Sequence, residues 1–186
     1  MRCIALSAIA GGLLLAGTAT ADVSYDLGFI GPINSAANGG ITSNSFEITI
    51  SEDAGLLGIV GFAFEGIYGE DEGSGSWASD TLLVITTPGG DTWTVGGLST
   101  PADEDWDFQG GISNPPGFYS HITEMWGLGT VDPVGTWTLT FTNDWNSSSA
   151  SAITWDDPIF TLIEIPGPGA LALLGIAGLA GTRRRR

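Results

Sequence analysis

Alternating apolar and polar positions recur along the middle of the chain, and no segment there keeps a helical spacing of apolar residues. Along residues 135–141, Trp137, Leu139 and Phe141 fall on one face and threonines fall on the other. This alternation is typical of a strand with one buried face. Similar patterns predict seven strands, at residues 23–29, 45–50, 59–68, 80–87, 91–95, 135–142 and 159–165.

Turn signals separate the predicted strands. Asn38-Gly39-Gly40 breaks the chain early, and Pro88-Gly89-Gly90-Asp91 is expected to join two strands as a hairpin. The pattern therefore predicts an all-β body at residues 22–164, built as an antiparallel β-sandwich.

Two stretches of the body resemble the P/Homo B domain, a jelly-roll sandwich of the galactose-binding-like type. They are residues 77–90 (WASDTLLVITTPGG) and 135–144 (GTWTLTFTND), followed by a closing strand through Trp155, Ile159 and Leu162. Asp156-Asp157-Pro158 is expected to interrupt that last strand. The resemblance implies a jelly-roll fold. In that family the domain assists a protease, and no protease domain accompanies it here.

The first 21 residues read as a secretory signal peptide. Arg2 supplies the positive end, residues 4–15 are mostly apolar, and Ala19-Thr20-Ala21 offers small residues for cleavage after Ala21. The alternative is a buried N-terminal helix. Cys3 is the only cysteine and would leave with the peptide, so the remaining body would have no disulfide.

The last segment, residues 165–186, places a proline motif, an apolar run and a basic end in that order. Pro166, Gly167 and Pro168 precede about 14 apolar residues, some ~21 Å of helix, which is short for a ~30 Å hydrocarbon core. We expect a short transmembrane helix, with its terminal arginines in the cytoplasm. Those arginines are Arg183, Arg184, Arg185 and Arg186.

This combination resembles the PEP-CTERM sorting tail of bacterial exported proteins, with Gly167 standing where that family usually has Glu. The resemblance implies recognition by an exosortase, a membrane-embedded cysteine protease, and removal of the tail. The body would then be released or attached to the envelope or matrix. The alternative is a plain C-terminal membrane anchor.

Charge is distributed very unevenly along the chain. All 21 acidic residues lie between Asp22 and Glu164, whereas the five basic residues are Arg2 and the terminal arginines. A body without Lys or Arg is not expected to bind nucleic acid, to use a lysine nucleophile or an arginine phosphate clamp, or to form internal salt bridges. The hydrophobic fraction of 42% and seven Trp nevertheless predict a folded core.

No catalytic motif accompanies the only histidine. His121 is expected in a loop after Phe118-Tyr119, and no Gly-x-Ser-x-Gly segment offers a nucleophile, so we do not expect an enzyme. Four tryptophans in or beside strands are expected in the core: Trp77, Trp93, Trp137 and Trp155. Three others are candidates for an exposed sugar-stacking platform, although core or rim packing is favoured even for them: Trp106, Trp126 and Trp145.

Two acidic clusters are candidate calcium ligands, because hard cations prefer several oxygen ligands. One is Glu70-Asp71-Glu72, and the other combines Asp103, Glu104, Asp105 and Asp107. A solvated acidic loop is favoured over a calcium site, and no other cofactor is expected. Four further aspartates are expected to cap turns at strand ends: Asp80, Asp144, Asp156 and Asp157.

These features lead to one functional hypothesis and two alternatives. We expect an exported, exosortase-processed protein of the cell envelope or extracellular matrix, with a non-catalytic binding or structural domain. Its expected partners are exosortase, the secretion machinery and, before processing, the membrane; extracellular polysaccharide is a candidate ligand. The alternatives are a secreted carbohydrate-binding or carbohydrate-active protein and a calcium-stabilised adhesion module.

Overall fold

The computed structural model describes residues 22–39, 42–70, 75–108, 114–124, 128–145 and 152–165. These residues form nine strands and two single-turn 3-10 helices, at Glu52–Ala54 and Ala78–Asp80. The strands are β1 (Val23–Asp26), β2 (Phe29–Ile33), β3 (Ser43–Ile50), β4 (Ile59–Glu70), β5 (Thr81–Thr86), β6 (Thr92–Gly96), β7 (Gly117–Glu124), β8 (Gly135–Asn143) and β9 (Ile153–Glu164).

The predicted end segments fall outside this description. The signal peptide at residues 1–21 and the motif, apolar run and arginines at residues 166–186 are not among the described residues. Within the described part, no helix has both the length and the apolar character needed to cross a bilayer.

The strands assemble into two antiparallel sheets. In the five-stranded sheet, β9 pairs with β4 on one side and with both β1 and β2 on the other, and β7 forms an edge beside β4. In the four-stranded sheet the order is β3, β8, β5, β6. The predicted hairpin is confirmed, because β5 and β6 pair around the Pro88–Gly90 turn. The all-β antiparallel prediction is therefore confirmed.

The core lies between the two sheets. Trp137, Leu139 and Phe141 of β8 are fully buried, as their alternation predicts. Phe64 of β4 packs against Phe141 with ring centroids 5.5 Å apart, and Trp155 of β9 donates its indole N–H to the Thr81 hydroxyl at 3.1 Å. Each large buried side chain contributes about 1.5–3 kcal/mol, so these faces are the main source of stability in a body that has no cysteine.

The last strand is longer than the sequence indicates. Asp156-Asp157-Pro158 is expected to interrupt it, but β9 runs through these residues with a bulge opposite Glu65 and Ile67. Asp157 adopts a left-handed conformation with φ 48°. The β1–β2 connection fills the bulge, because the Leu27 N–H donates to the Pro158 carbonyl and the Asp157 N–H donates to the Gly28 carbonyl. The extra residue is therefore absorbed without ending the strand.

The ends of the folded body lie side by side. Val23 of β1 pairs with Leu162 of β9, and the Asp22 carboxylate accepts the Glu164 backbone N–H at 3.2 Å. The first and last described strands thus leave the sandwich at the same place.

Candidate functional site

Asp144, directly after β8, organises the loop that follows β6. Its Oδ2 accepts the backbone N–H groups of Leu98, Ser99 and Thr100 at 2.8, 2.6 and 2.7 Å, and its Oδ1 accepts the Thr100 hydroxyl at 2.8 Å. The body has no Lys or Arg to pair with this carboxylate. Convergent backbone N–H dipoles take that role and fix the loop, residues 97–100, over the end of the sheet.

A cavity of about 320 Å³ lies beside Asp144. Its wall comes from the end of β8, from Ser99 and Thr100 of the 97–100 loop, and from Ala36 and Thr42, which lie between β2 and β3. Its lining mixes polar and apolar surface and includes Thr42, Ser99, Thr100, Thr142, Asn143 and Trp145. Trp145 is half-buried, and its ring lies 6.2 Å from that of Trp77. Of the three platform candidates, Trp145 is the one that the structure places at a cavity.

Asp80, whose backbone carbonyl accepts the Asp144 N–H at 2.9 Å, is buried, with 1% of its surface exposed. It ends the 3-10 turn Ala78–Asp80, and its Oδ2 accepts the Trp77 N–H at 2.7 Å, as the turn-capping hypothesis expects. Its Oδ1 has no hydrogen-bond partner among the described residues. Burial raises the pKa of Asp80 to about 6; the bond from Trp77 opposes the shift, and the charge of Asp144 adds to it.

The acidic segment chosen as a calcium candidate, residues 103–107, follows the 97–100 loop closely and bonds to β6 and β7. Asp103 accepts the backbone N–H and the hydroxyl of Thr94 at 2.9 and 2.7 Å, whereas Glu104 bonds to the Thr123 hydroxyl. Asp107 accepts the Ile122 N–H at 3.0 Å, and Asp105 is exposed. Three carboxylates thus fasten the segment to β6 and β7.

Across the described ranges, no three His, Cys, Asp or Glu side chains are grouped so that they could hold a metal ion. Of the other acidic cluster, only Glu70 is among the described residues. Calcium binding therefore stays a prediction.

The loop expected around His121 is a strand. His121 lies in β7 and is 2% exposed. The centroid of its ring lies 5.5 Å from that of Phe62 and 5.1 Å from that of Trp106. Its Nδ1 accepts the Asp107 N–H at 3.1 Å, and its Nε2 has no partner among the described residues. The sequence gives little sign of this strand, because its less exposed positions are Tyr119, His121 and Thr123 whereas the apolar Phe118 and Ile122 are exposed.

The prediction that the body forms no internal salt bridge is wrong at His121. Its Nδ1 lies 3.2 Å from Asp107 Oδ2, so the two form an ion pair whenever the imidazole is protonated. Burial lowers the pKa of His121, while the charges of Asp107 and Glu104 oppose that shift. The described hydrogen bonds of this imidazole join it to Asp107 and to no serine.

The tryptophan predictions have mixed outcomes. Trp137 and Trp155 are fully buried, as expected, but Trp77 and Trp93 are only half-buried. For Trp106 the favoured core packing is confirmed and the platform alternative is wrong, because Trp106 is 1% exposed and donates its indole N–H to the Thr81 carbonyl at 2.6 Å. Trp126 lies outside the described residues.

Comparison with protein-family models, with curated proteins and with solved structures finds no significant match. The P/Homo B and PEP-CTERM resemblances therefore rest on the residues quoted for them.

Proposed function

We propose that this protein is exported, anchored transiently in the membrane with its C-terminus in the cytoplasm, and processed by an exosortase. Its body then acts in the cell envelope or extracellular matrix as a non-catalytic binding or structural domain of the P/Homo B jelly-roll type. The proposal draws on the order of the signal peptide, the body, the Pro166-Gly167-Pro168 motif and the terminal arginines.

The observation that carries the proposal is that the described strands close into one compact unit lying, along the chain, between the two segments expected to be removed. β1 begins at Val23, two residues after Ala21, and β9 ends at Glu164, two residues before Pro166. Removal of both end segments would leave every described strand and core residue in place. A body bounded in this way suits a protein that is trimmed at both ends.

The non-catalytic part of the proposal draws on how the polar side chains are used. Asp103, Asp107 and Asp144 accept backbone N–H groups and hold loops, and His121 is enclosed by aromatic rings. A general base has to reach the proton that it removes, and a buried imidazole with a lowered pKa is poorly placed for that task.

The test is the intact mass of the protein recovered from its own cells, fraction by fraction. A mass lacking residues 1–21 and everything beyond the Pro166 region is expected in the envelope or medium. Changing Arg183–Arg186 to glutamine keeps the apolar run, and should leave a longer, unprocessed chain in the membrane. A wild-type chain that retains its arginines in the membrane fraction would instead identify a permanent anchor.

A further inference from the structure

The cavity beside Asp144 combines features that suit one class of ligand. Its wall mixes hydroxyl-bearing residues with apolar surface and includes a half-buried indole, and the body contains neither Lys nor Arg. At about 320 Å³ it lies at the lower end of the usual range for small-molecule sites, which is about 300–1,000 Å³. A ligand of one or two sugar-sized rings fits that space.

Charge excludes anionic ligands from this cavity. The carboxylate of Asp144 lies in the wall, and the body as a whole carries 21 acidic side chains. A phosphate, sulfate or uronate would meet repulsion here without a cation to offset it. Cations are disfavoured for a different reason: both oxygens of Asp144 already accept hydrogen bonds from the 97–100 loop.

Hydroxyl groups form the part of the wall that is available for recognition. Thr42, Ser99 and Thr142 are among the lining residues and carry these hydroxyls. A hydroxyl both donates and accepts, so it can pair with another hydroxyl in either direction. The indole of Trp145 adds an apolar face against which the C–H groups of a sugar ring can pack.

We propose that this cavity binds a neutral sugar residue, such as the end or a branch of an uncharged polysaccharide. The inference rests on the proposed binding role of the body and names the ligand class for it. Thr142 and Ser99 supply hydrogen bonds, Trp145 supplies the stacking face, and Asp144 holds the 97–100 loop in place. Millimolar dissociation constants are expected for single sugars, because a ligand of that size gains little from each contact.

The experiment is calorimetric titration of the full chain, kept in solution by a detergent that carries no sugar. The probes are neutral methyl glycosides and short neutral oligosaccharides, with glucuronic and galacturonic acid as anionic counterparts. The neutral probes should bind, and the uronic acids should bind at least about 10-fold more weakly. If no neutral probe binds, or if the uronic acids bind equally well, the proposal is wrong.

Matched variants locate the site. Thr142→Val and Ser99→Ala each remove one hydroxyl and should weaken binding about 2- to 10-fold, with unchanged thermal melting. Thr138→Val changes a threonine on the same face of β8 outside the cavity lining, and should bind like the wild type. Equal weakening by Thr138→Val would place the binding elsewhere. Processing of the tail is read separately by mass, so failure of sugar binding and failure of the sorting proposal are distinguishable.

Discussion

The Asp80→Asn variant should become more stable relative to the wild type as the pH rises. Burial raises the pKa of Asp80 from 3.8 to about 6, so between these values the folded state holds a proton that the unfolded state has lost. Stability therefore falls as the pH rises from about 4 to about 6. A pKa raised this far corresponds to at most about 3 kcal/mol in the free energy of unfolding, and we expect about 1–3 kcal/mol because Asp144 is partly exposed and solvent screens its charge.

The assay is urea unfolding of wild type and Asp80→Asn at several values between about pH 4 and pH 7, followed by tryptophan fluorescence. Asparagine can still accept the Trp77 N–H, and its second amide atom takes the place of the unpartnered Oδ1. That exchange adds an offset that does not depend on pH. At each pH the free energy of unfolding of the wild type is subtracted from that of the variant. This difference should increase as the pH rises.

A matched control removes the same charge from an exposed position. Asp91→Asn lies in the turn between β5 and β6, where the side chain is hydrated in both states. Its stability should run parallel to that of the wild type. A flat difference curve for Asp80→Asn, or one that favours the wild type at neutral pH, would refute the reasoning from burial.

Three further predictions concern packing, protonation and charge. Gly96→Ala should lower the free energy of unfolding, measured in urea, by more than about 3 kcal/mol, because a Cβ there would lie 1.8 Å from Trp106 Nε1. Gly55→Ala is the control: it has a similar φ and nothing within 4 Å of the added Cβ, so it should cost only about 1–2 kcal/mol. Burial lowers the pKa of His121, so wild type should lose stability relative to His121→Phe as the pH falls below about 6.5; a constant difference would contradict this. Raising NaCl from about 0.01 M to about 1 M should raise the melting temperature, since screening relieves repulsion among the 21 acidic side chains; an unchanged value would show that this repulsion is unimportant.

Regular alternation made much of the fold predictable from the sequence. β8 and the β5–β6 hairpin lie where the pattern places them, because their buried face and their turn residues agree. β7 was missed, since its buried positions are Tyr119, His121 and Thr123, which do not read as an apolar face. What buries His121 is contact with Phe62 and Trp106, and both are distant from it in sequence.

The cavity was not predictable for a related reason. Its wall comes from three separate parts of the chain, and the 97–100 loop is positioned by Asp144, more than 40 residues further along the chain. The sequence indicates that Asp144 ends a strand and that Trp145 follows it. It gives no sign that three backbone N–H groups converge on one carboxylate, because such convergence depends on the packing of β5, β6 and β8.

The position of β9 has a consequence for how the body can be made. The last of the described strands is not an edge strand: β9 lies between β4 on one side and β1 and β2 on the other. Until Ile153–Glu164 has emerged, β1 and β2 have no partner in that sheet, and β4 has only β7. A chain emerging from its N-terminal end therefore cannot complete the five-stranded sheet early, and pairing of β9 closes the fold in a late step that links distant parts of the chain.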